Sequence, residues 1–268
     1  MKLDVLGNWA GSPGPGSACS GYLVSEGATQ LLMDCGQGVV PILQEEQDMT
    51  GVTAIFISHM HADHSLDLLT FAYRLLRFTW RGRDLKEVKQ VPLFLPPGGG
   101  SVLEHLVAAY GRPEGSRLSN PFEAAFAVKE IKPEVPLKLG TLTVTPFEVR
   151  HTVAAVGYRI DGPSGSFAYS GDTGPCPNLA RLAHGVDVFL CEAMSSETDP
   201  LRTNASGHLT AGQAGLAAAE AGAKRLVLTH FPRQDIAWLD SLRIGAESTF
   251  PKGVSLAFCS ASVAWARS

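Results

Sequence analysis

Short apolar runs and a few amphipathic stretches alternate along the chain, and they mark out its elements. Lys2 to Leu6 predicts a first strand. Ser20 to Ser25 and Gln30 to Met33 predict a hairpin, with Glu26-Gly27 near the turn. Asp34-Cys35-Gly36 ends its second strand, and a helix is expected from about Val39 to Gln47. The continuous run Val52 to Ile57 reads as a buried strand that delivers a polar loop at Ser58. Leu66 to Phe78 places apolar residues at Leu66, Leu69, Tyr73 and Leu76, with Leu68, Ala72 and Leu75 beside them, which is a broad helical stripe. Val91 to Leu95 predicts a strand. Ser101 to Tyr110 predicts a helix, with Ser101 as N-cap and Glu104 completing a capping box. Phe126 to Ile131, Leu137 to Leu139, Leu142 to Phe147 and Val156 to Ile160 read as antiparallel strands with short turns. Further strands are expected at Phe167 to Ser170, Val186 to Leu190, Leu226 to Leu228 and Val254 to Phe258. Helices are expected at Asn178 to Ala183, Thr210 to Ala221 and Leu239 to Ser248. No internal repeat and no dividing linker shows. The expectation is one domain over residues 1–268, with a two-layered sheet core and outer helices.

Composition narrows the class. Of 268 residues, 45% are apolar and 18% charged, enough for a sizeable core. The net charge of -4 argues against a constitutive nucleic-acid binder, which usually shows a basic face, although a local patch can hide in a net count. The apolar runs are strand-length, so no transmembrane helix is expected. The start, Met1 to Gly7, has an early acid and does not read as a signal peptide. Five cysteines without a CxxC read as buried or free thiols in a reducing cytoplasm.

Three loops change the picture further. Gly11 to Gly16 breaks both regular structures and is either a mobile lip or a plain connection. Pro96-Pro97-Gly98-Gly99-Gly100 could approach a ligand through backbone N–H groups, but it lacks the lysine of a phosphate-binding P-loop. Arg74, Arg77, Arg81, Arg83 and Lys86 crowd one helix end. They are either a solvated edge that complements the helix C-terminus or a rim that attracts phosphate.

The chemistry concentrates in His59-Met60-His61-Ala62-Asp63-His64. Four potential metal ligands fall within six residues, on a turn between the expected strand and helix. Only eight histidines occur in the chain, and three of them are here. Imidazoles suit a borderline-soft metal and the carboxylate suits a harder position. A dinuclear site needs more ligands than this turn offers. His151, Asp172 and His230 each sit where a buried strand meets a loop, so all three could converge on one edge of the sheets. His105, within a helix, and His184, at a helix end, read as structural or solvent residues.

This set, His59-x-His61-x-Asp63-His64 with His151, Asp172 and His230, resembles the metal motif of the metallo-β-lactamase fold superfamily in order and setting. The likeness extends along nearly all of the chain, beginning with the Gly21-to-Gly36 hairpin. It implies an α/β fold, a four-layer αβ/βα sandwich with the site at one edge. It implies two metals, usually zinc, with manganese or iron as alternatives. His59, His61 and His151 would hold the first, Asp63, His64 and His230 the second, and Asp172 would bridge. The context Val149-Arg150-His151-Thr152-Val153 looks like the ribonuclease Z and phosphodiesterase branch. Glu192 and His208 resemble the pair that ribonuclease Z-like enzymes use beside the metals. His208 would donate a proton to the leaving oxygen, supported by Glu192, and Asp63 would steer the nucleophile. The plainer reading of Glu192 and His208 is a structural Glu and a loop His. No Gly/Pro-rich insertion resembling a tRNA-gripping arm is evident. The expected substrate is therefore a small or cyclic nucleotide phosphodiester, such as cAMP, with tRNA less favoured. Thioesters, lactones and β-lactams remain substrates of the rival branches. A homodimer is suggested by the resemblance alone.

Overall fold

In the computed structural model, residues 1–46, 48–79, 89–111, 119–196 and 200–265 are described. The side chain of Arg77 and residues Arg81, Arg83 and Lys86 of the expected basic rim lie outside the described residues. Two seven-stranded sheets face one another. The first contains β1 (Lys2–Gly7), β2 (Gly21–Glu26), β3 (Thr29–Met33), β4 (Ala54–Phe56), β5 (Val91–Leu95) and β6 (Phe126–Glu130), with β14 (Ser262–Ala264) at the edge beside β1. The second contains, in spatial sequence from one edge, β7 (Leu137–Leu139), β8 (Leu142–Val149), β9 (Ala155–Gly162), β10 (Gly165–Tyr169), β11 (Val188–Glu192), β12 (Leu226–Thr229) and β13 (Val254–Leu256).

Helices cover both outer faces. Against the first sheet lie α1 (Val39–Glu46), α3 (Asp67–Thr79), α4 (Gly99–Tyr110) and α5 (Pro121–Ala125). A one-turn helix, α2 (Ala62–Ser65), precedes α3. The second sheet is covered by α6 (Asn178–Leu182), α8 (Ala211–Ala221) and α9 (Ile236–Glu247), and α7 (Pro200–Ala205) precedes α8. Apolar residues segregate accordingly into three layers. One lies between the first sheet and its helices, one between the second sheet and its helices, and one between the sheets. In the central layer Phe56 stacks on Phe94 at 4.6 Å and meets Tyr158 edge-on at 5.4 Å. This is the αβ/βα sandwich expected from the resemblance.

Each sheet is antiparallel on one side and parallel on the other. β1, β2 and β3 are antiparallel neighbours, whereas β3, β4, β5 and β6 run parallel. β7, β8, β9 and β10 are antiparallel, whereas β10 through β13 run parallel. Parallel strands need helical crossovers and carry near-continuous apolar runs. β4, β10, β11 and β12 are accordingly buried along their whole length.

Several local expectations are corrected. The Phe126 strand is parallel to β5, not part of the antiparallel set. The run from Val52 to Ser58 forms strand only at Ala54–Phe56, because Met49–Gly51 makes a turn of 3₁₀ helix just before it. Ser101 is not the N-cap of α4. That position is Gly98, at φ 79°, and the carboxylate of Glu130 takes the free N–H groups of Gly98 and Gly100 at 3.1 and 3.0 Å. The last expected strand ends at Leu256, and β14 follows as a separate strand paired with β1.

Candidate metal centre

The parallel strands carry the site, since their C-terminal ends open onto one edge where ligands ordinarily bind. Asp34 follows β3, and His59, His61, Asp63 and His64 follow β4. Asp172 follows β10, Glu192 ends β11 and His230 follows β12. His151 comes from the end of β8. Asp63 and His64 stand on the single turn of α2, not in a loop, with His61 as its N-cap. Backbone N–H groups of Ser20 and Cys35 donate to the carbonyls of Asp63 and His64 at 3.1 and 2.8 Å. These bonds satisfy carbonyls that so short a helix leaves open. The approach requires glycine at position 36, where a Cβ would lie 2.0 Å from the Asp63 carbonyl oxygen.

The ligand atoms converge in two groups. His59 Nε2 lies 3.1 Å from His61 Nδ1, which lies 3.2 Å from His151 Nε2. In the second group, His230 Nε2 lies 3.3 Å from Asp63 Oδ2 and 3.4 Å from His64 Nε2. Asp172 stands between them. Its Oδ2 is 3.7 Å from His59 Nε2 and 3.3 Å from His230 Nε2, and its Oδ1 is 3.3 Å from His64 Nε2. The structure therefore brings together all seven residues of the expected set. Of the other histidines, His105 Nδ1 donates to the Ser101 carbonyl of its own helix at 2.7 Å, and neither it nor His184 joins these groups.

The outward sides of the rings are tied down. Asp34, fully buried, receives Ser58 N–H at 2.6 Å, Ser58 Oγ at 2.8 Å, Tyr169 Oη at 2.7 Å and His64 Nδ1 at 2.7 Å. His151 Nδ1 donates to the Gly207 carbonyl at 2.8 Å, and His59 Nδ1 lies 3.1 Å from Ser58 Oγ. Such outer partners fix both the tautomer and the orientation of a ligating imidazole. Gly11 N–H donates to Asp63 Oδ2 at 2.7 Å, so the Gly11-to-Gly16 loop is anchored at the site. Asp34 and His230 adopt left-handed backbone at φ 60° and 64°, a conformation that non-glycine residues hold at some cost and that clusters at functional sites.

This donor set fits divalent metal. Burial lowers the pKa of His59, His61 and His151, so each imidazole is neutral. With the Nδ1 protons of His59 and His151 directed outward, two lone pairs face His61 Nδ1 at hydrogen-bond distance. A neutral His61 has at most one Nδ1 proton to share between the two, whereas a cation among the three atoms satisfies them all. Ligand atoms about 2.0–2.1 Å from a tetrahedral zinc stand roughly 3.3 Å apart, close to the observed spacings. Asp172 Oδ1 and His230 Nδ1 are buried and make no aligned hydrogen bond. Burial opposes ionisation of Asp172, yet His230 and His64 hold its pKa well below the carboxylate range. Burial likewise opposes charge on His64, but Asp172 and Asp34 push its pKa well above the imidazole range. In the bare protein, His64 supplies positive charge that these carboxylates demand.

Glu192 and His208 stand beside both groups. His208 Nδ1 lies 3.0 Å from Glu192 Oε1 and 3.9 Å from Asp172 Oδ2. Its ring is 5.0 Å from His151 and 5.5 Å from His230. Glu192 is fully buried and also accepts N–H from Thr173 at 2.6 Å and Leu209 at 3.3 Å. Burial would lower the His208 pKa, but Glu192 pushes it up to about 9. Sequence reasoning placed Asp34 only at a strand end. Its role was hidden because its partners lie 24, 30 and 135 residues away.

Comparison with known proteins agrees with this geometry. The family model of the beta-lactamase superfamily domain matches residues 29–231. Uncharacterized protein Rv1339 of Mycobacterium tuberculosis is 38% identical over 242 residues, covering 88% of this chain and 84% of that protein. Probable metallo-hydrolase YhfI of Bacillus subtilis is 30% identical over 259 residues, covering 96% and 97%. The crystal structure of YhfI, a metallo-beta-lactamase fold protein, superposes with a TM-score of 0.83 at 24% identity and covers 98% of each chain. Ribonuclease Z of Mycobacterium sp. (strain KMS) is 29% identical over 280 residues, covering 96% and 93%. With its two seven-stranded sheets, its convergent His and Asp clusters and these matches, the chain belongs to the beta-lactamase superfamily as a metallo-hydrolase.

Proposed function

We propose that the protein is a dinuclear metal-dependent phosphodiesterase acting on a small or cyclic nucleotide such as cAMP. The observation that carries this reading is the Glu192–His208 pair, 3.0 Å apart and directly beside the convergent ligands. A phosphodiester needs its departing alkoxide protonated, and a charged imidazole beside the metals meets that need. His59, His61 and His151 would hold one ion, Asp63, His64 and His230 the other, with Asp172 bridging. Zinc suits this N/O set best, and manganese and iron are the alternatives. When bound, such a pair supplies Lewis acidity toward a phosphoryl oxygen and lowers the pKa of water.

The remaining work belongs to the chain. Asp63, held by Gly11 N–H, orients the attacking water. Glu192 engages Nδ1 of His208 and favours its protonated form, leaving Nε2 to give a proton to the departing ribose oxygen. A turn of buried strand ends keeps these groups preorganised, so little reorganisation is needed as charge develops. The reading extends to one domain over residues 1–268, a homodimer, and a cytoplasmic protein. Five free cysteines, three of them buried, support a reducing compartment.

His208→Ala tests the proposal. Metal content should stay at two ions per chain while turnover of bis-p-nitrophenyl phosphate or cAMP falls by about 10²-fold or more. Unchanged turnover removes the proton-donor role. The likeness to ribonuclease Z favours a second reading, a tRNA 3′-processing endonuclease. Cleavage of precursor tRNA, weakening steeply between two salt concentrations, would establish it.

A further inference from the structure

Arg150 sits one residue before His151 and has no acidic partner among the described residues. Arg159, Arg181, Arg233 and Arg243 each pair with a carboxylate. Arg150 instead donates from Nη2 to the Asn204 carbonyl at 3.0 Å, and among the described residues no carboxylate lies within ion-pair distance of it. Its backbone is fixed on both sides. Its N–H donates to Thr173 Oγ1 at 3.2 Å, and its carbonyl accepts from Gly174 N–H at 2.7 Å. The guanidinium lies over Gly174, where a Cβ would come within 2.7 Å of Nη2 and 2.9 Å of Nε. The side chain is thus held in place without an ion-pair partner among the described residues.

Arg150 and His151 also line one cavity of about 470 Å³, together with Val153, Cys176, Asn178 and Glu148. That volume is within the range of small-ligand sites. His151 belongs both to this lining and to the convergent ligands, so the cavity adjoins the centre. A planar guanidinium matches phosphate or carboxylate in bidentate fashion. The Glu148 carboxylate adds an acceptor for hydroxyl or amino groups, and the valine and alanine positions add apolar surface. A phosphate attached to a nucleoside presents all three features at once.

We propose that this cavity is a substrate subsite in which Arg150 binds a second anionic group, a phosphate of the nucleotide other than the one hydrolysed. The proposal rests on the phosphodiesterase reading. It makes Arg150 a specificity-determining residue and names a nucleotide with an additional phosphate as the preferred substrate class.

The test compares the diadenylate ApA with its 5′-phosphorylated form on zinc-loaded protein. The wild type should favour the phosphorylated substrate in kcat/KM, and Arg150→Gln should reduce that preference by about 10-fold or more, mainly through KM. Arg150→Lys keeps the charge and should fall between the two. A merely structural role, in which Arg150 fastens the Asn204 segment, would lower both rates alike and leave the ratio unchanged. An unchanged ratio, or a wild type without preference, overturns the proposal. Should neither dinucleotide be hydrolysed, calorimetry decides the subsite, and the phosphodiesterase reading itself fails only if cAMP and bis-p-nitrophenyl phosphate are not hydrolysed either. Adenosine 3′,5′-bisphosphate should bind the wild type more tightly than AMP does, and Arg150→Gln should abolish the difference. Equal preference in both proteins overturns the subsite.

Discussion

Glu192 and His208 set the pH response expected of the site. A proton donor must be charged, so activity should be lost as pH rises through the His208 pKa. Burial acts against that charge, and Glu192 more than offsets it, pushing the value up to about 9. Glu192→Gln removes the carboxylate but keeps the shape. The alkaline limb of kcat should then move down toward the ordinary imidazole range, with the acidic limb unmoved. A pH–rate profile of the two proteins checks this, and an unmoved alkaline limb would detach Glu192 from the proton step. At this scale the metal motif was largely legible, because spacing alone marks His59, His61, Asp63 and His64. Asp34 was not, because what distinguishes it is four donors arriving from distant parts of the chain.

The elements matter through the accuracy with which they deliver ligands. α2 is a single turn and has little stability of its own, since the first turn of any helix is its costliest. Its position is imposed by backbone contacts to Ser20, Cys35 and Gly36. Gly36→Ala should push the Asp63 carbonyl aside, destabilise the protein by about 1–3 kcal/mol and weaken metal retention. Thermal melting and metal analysis after dialysis check both effects; intact metal retention would show that the turn tolerates displacement. The same dependence on distant partners explains two misread elements. The Ser101–Glu104 pattern satisfies a capping rule, but Glu130 takes the N–H groups of Gly98 and Gly100 from 30 residues away or more. The apolar start of Phe126 to Ile131 identifies a strand and carries no information about its direction.

At the scale of the whole molecule, the candidate centre joins the two sheets. His59, His61, Asp63 and His64 come from the first sheet, and His151, Asp172 and His230 from the second. Metal bound across that seam stabilises the folded chain by mass action, by about 2.7 kcal/mol at a free concentration 100-fold above Kd. Exhaustive chelation should therefore lower Tm by roughly 5–10 °C, and added zinc should restore it. A Tm indifferent to chelator would contradict a bound metal. The two-layered sheet core with outer helices was legible from strand-length apolar runs, and the four-layer αβ/βα sandwich from the family resemblance. The convergence of strand ends on one edge was expected too, but the cross-sheet contacts that hold it were not, because only the fold makes residues such as Tyr169 and Asp34 neighbours.

Three tyrosine hydroxyls cross the apolar layer between the sheets. Tyr169 reaches Asp34, Tyr158 donates to the Ile57 carbonyl at 2.7 Å, and Tyr22 meets Thr229 Oγ1 at 2.7 Å. Apolar packing is non-directional and permits one sheet to slide on the other, whereas a hydrogen bond has one good geometry. All three anchors lie on chain segments next to ligands. They work as indexing pins that convert a greasy contact into a fixed alignment. Substitutions of tyrosine by phenylalanine at these positions would look conservative by volume, yet they would be felt as a loss of calibration in a catalyst whose parts sit on separate plates.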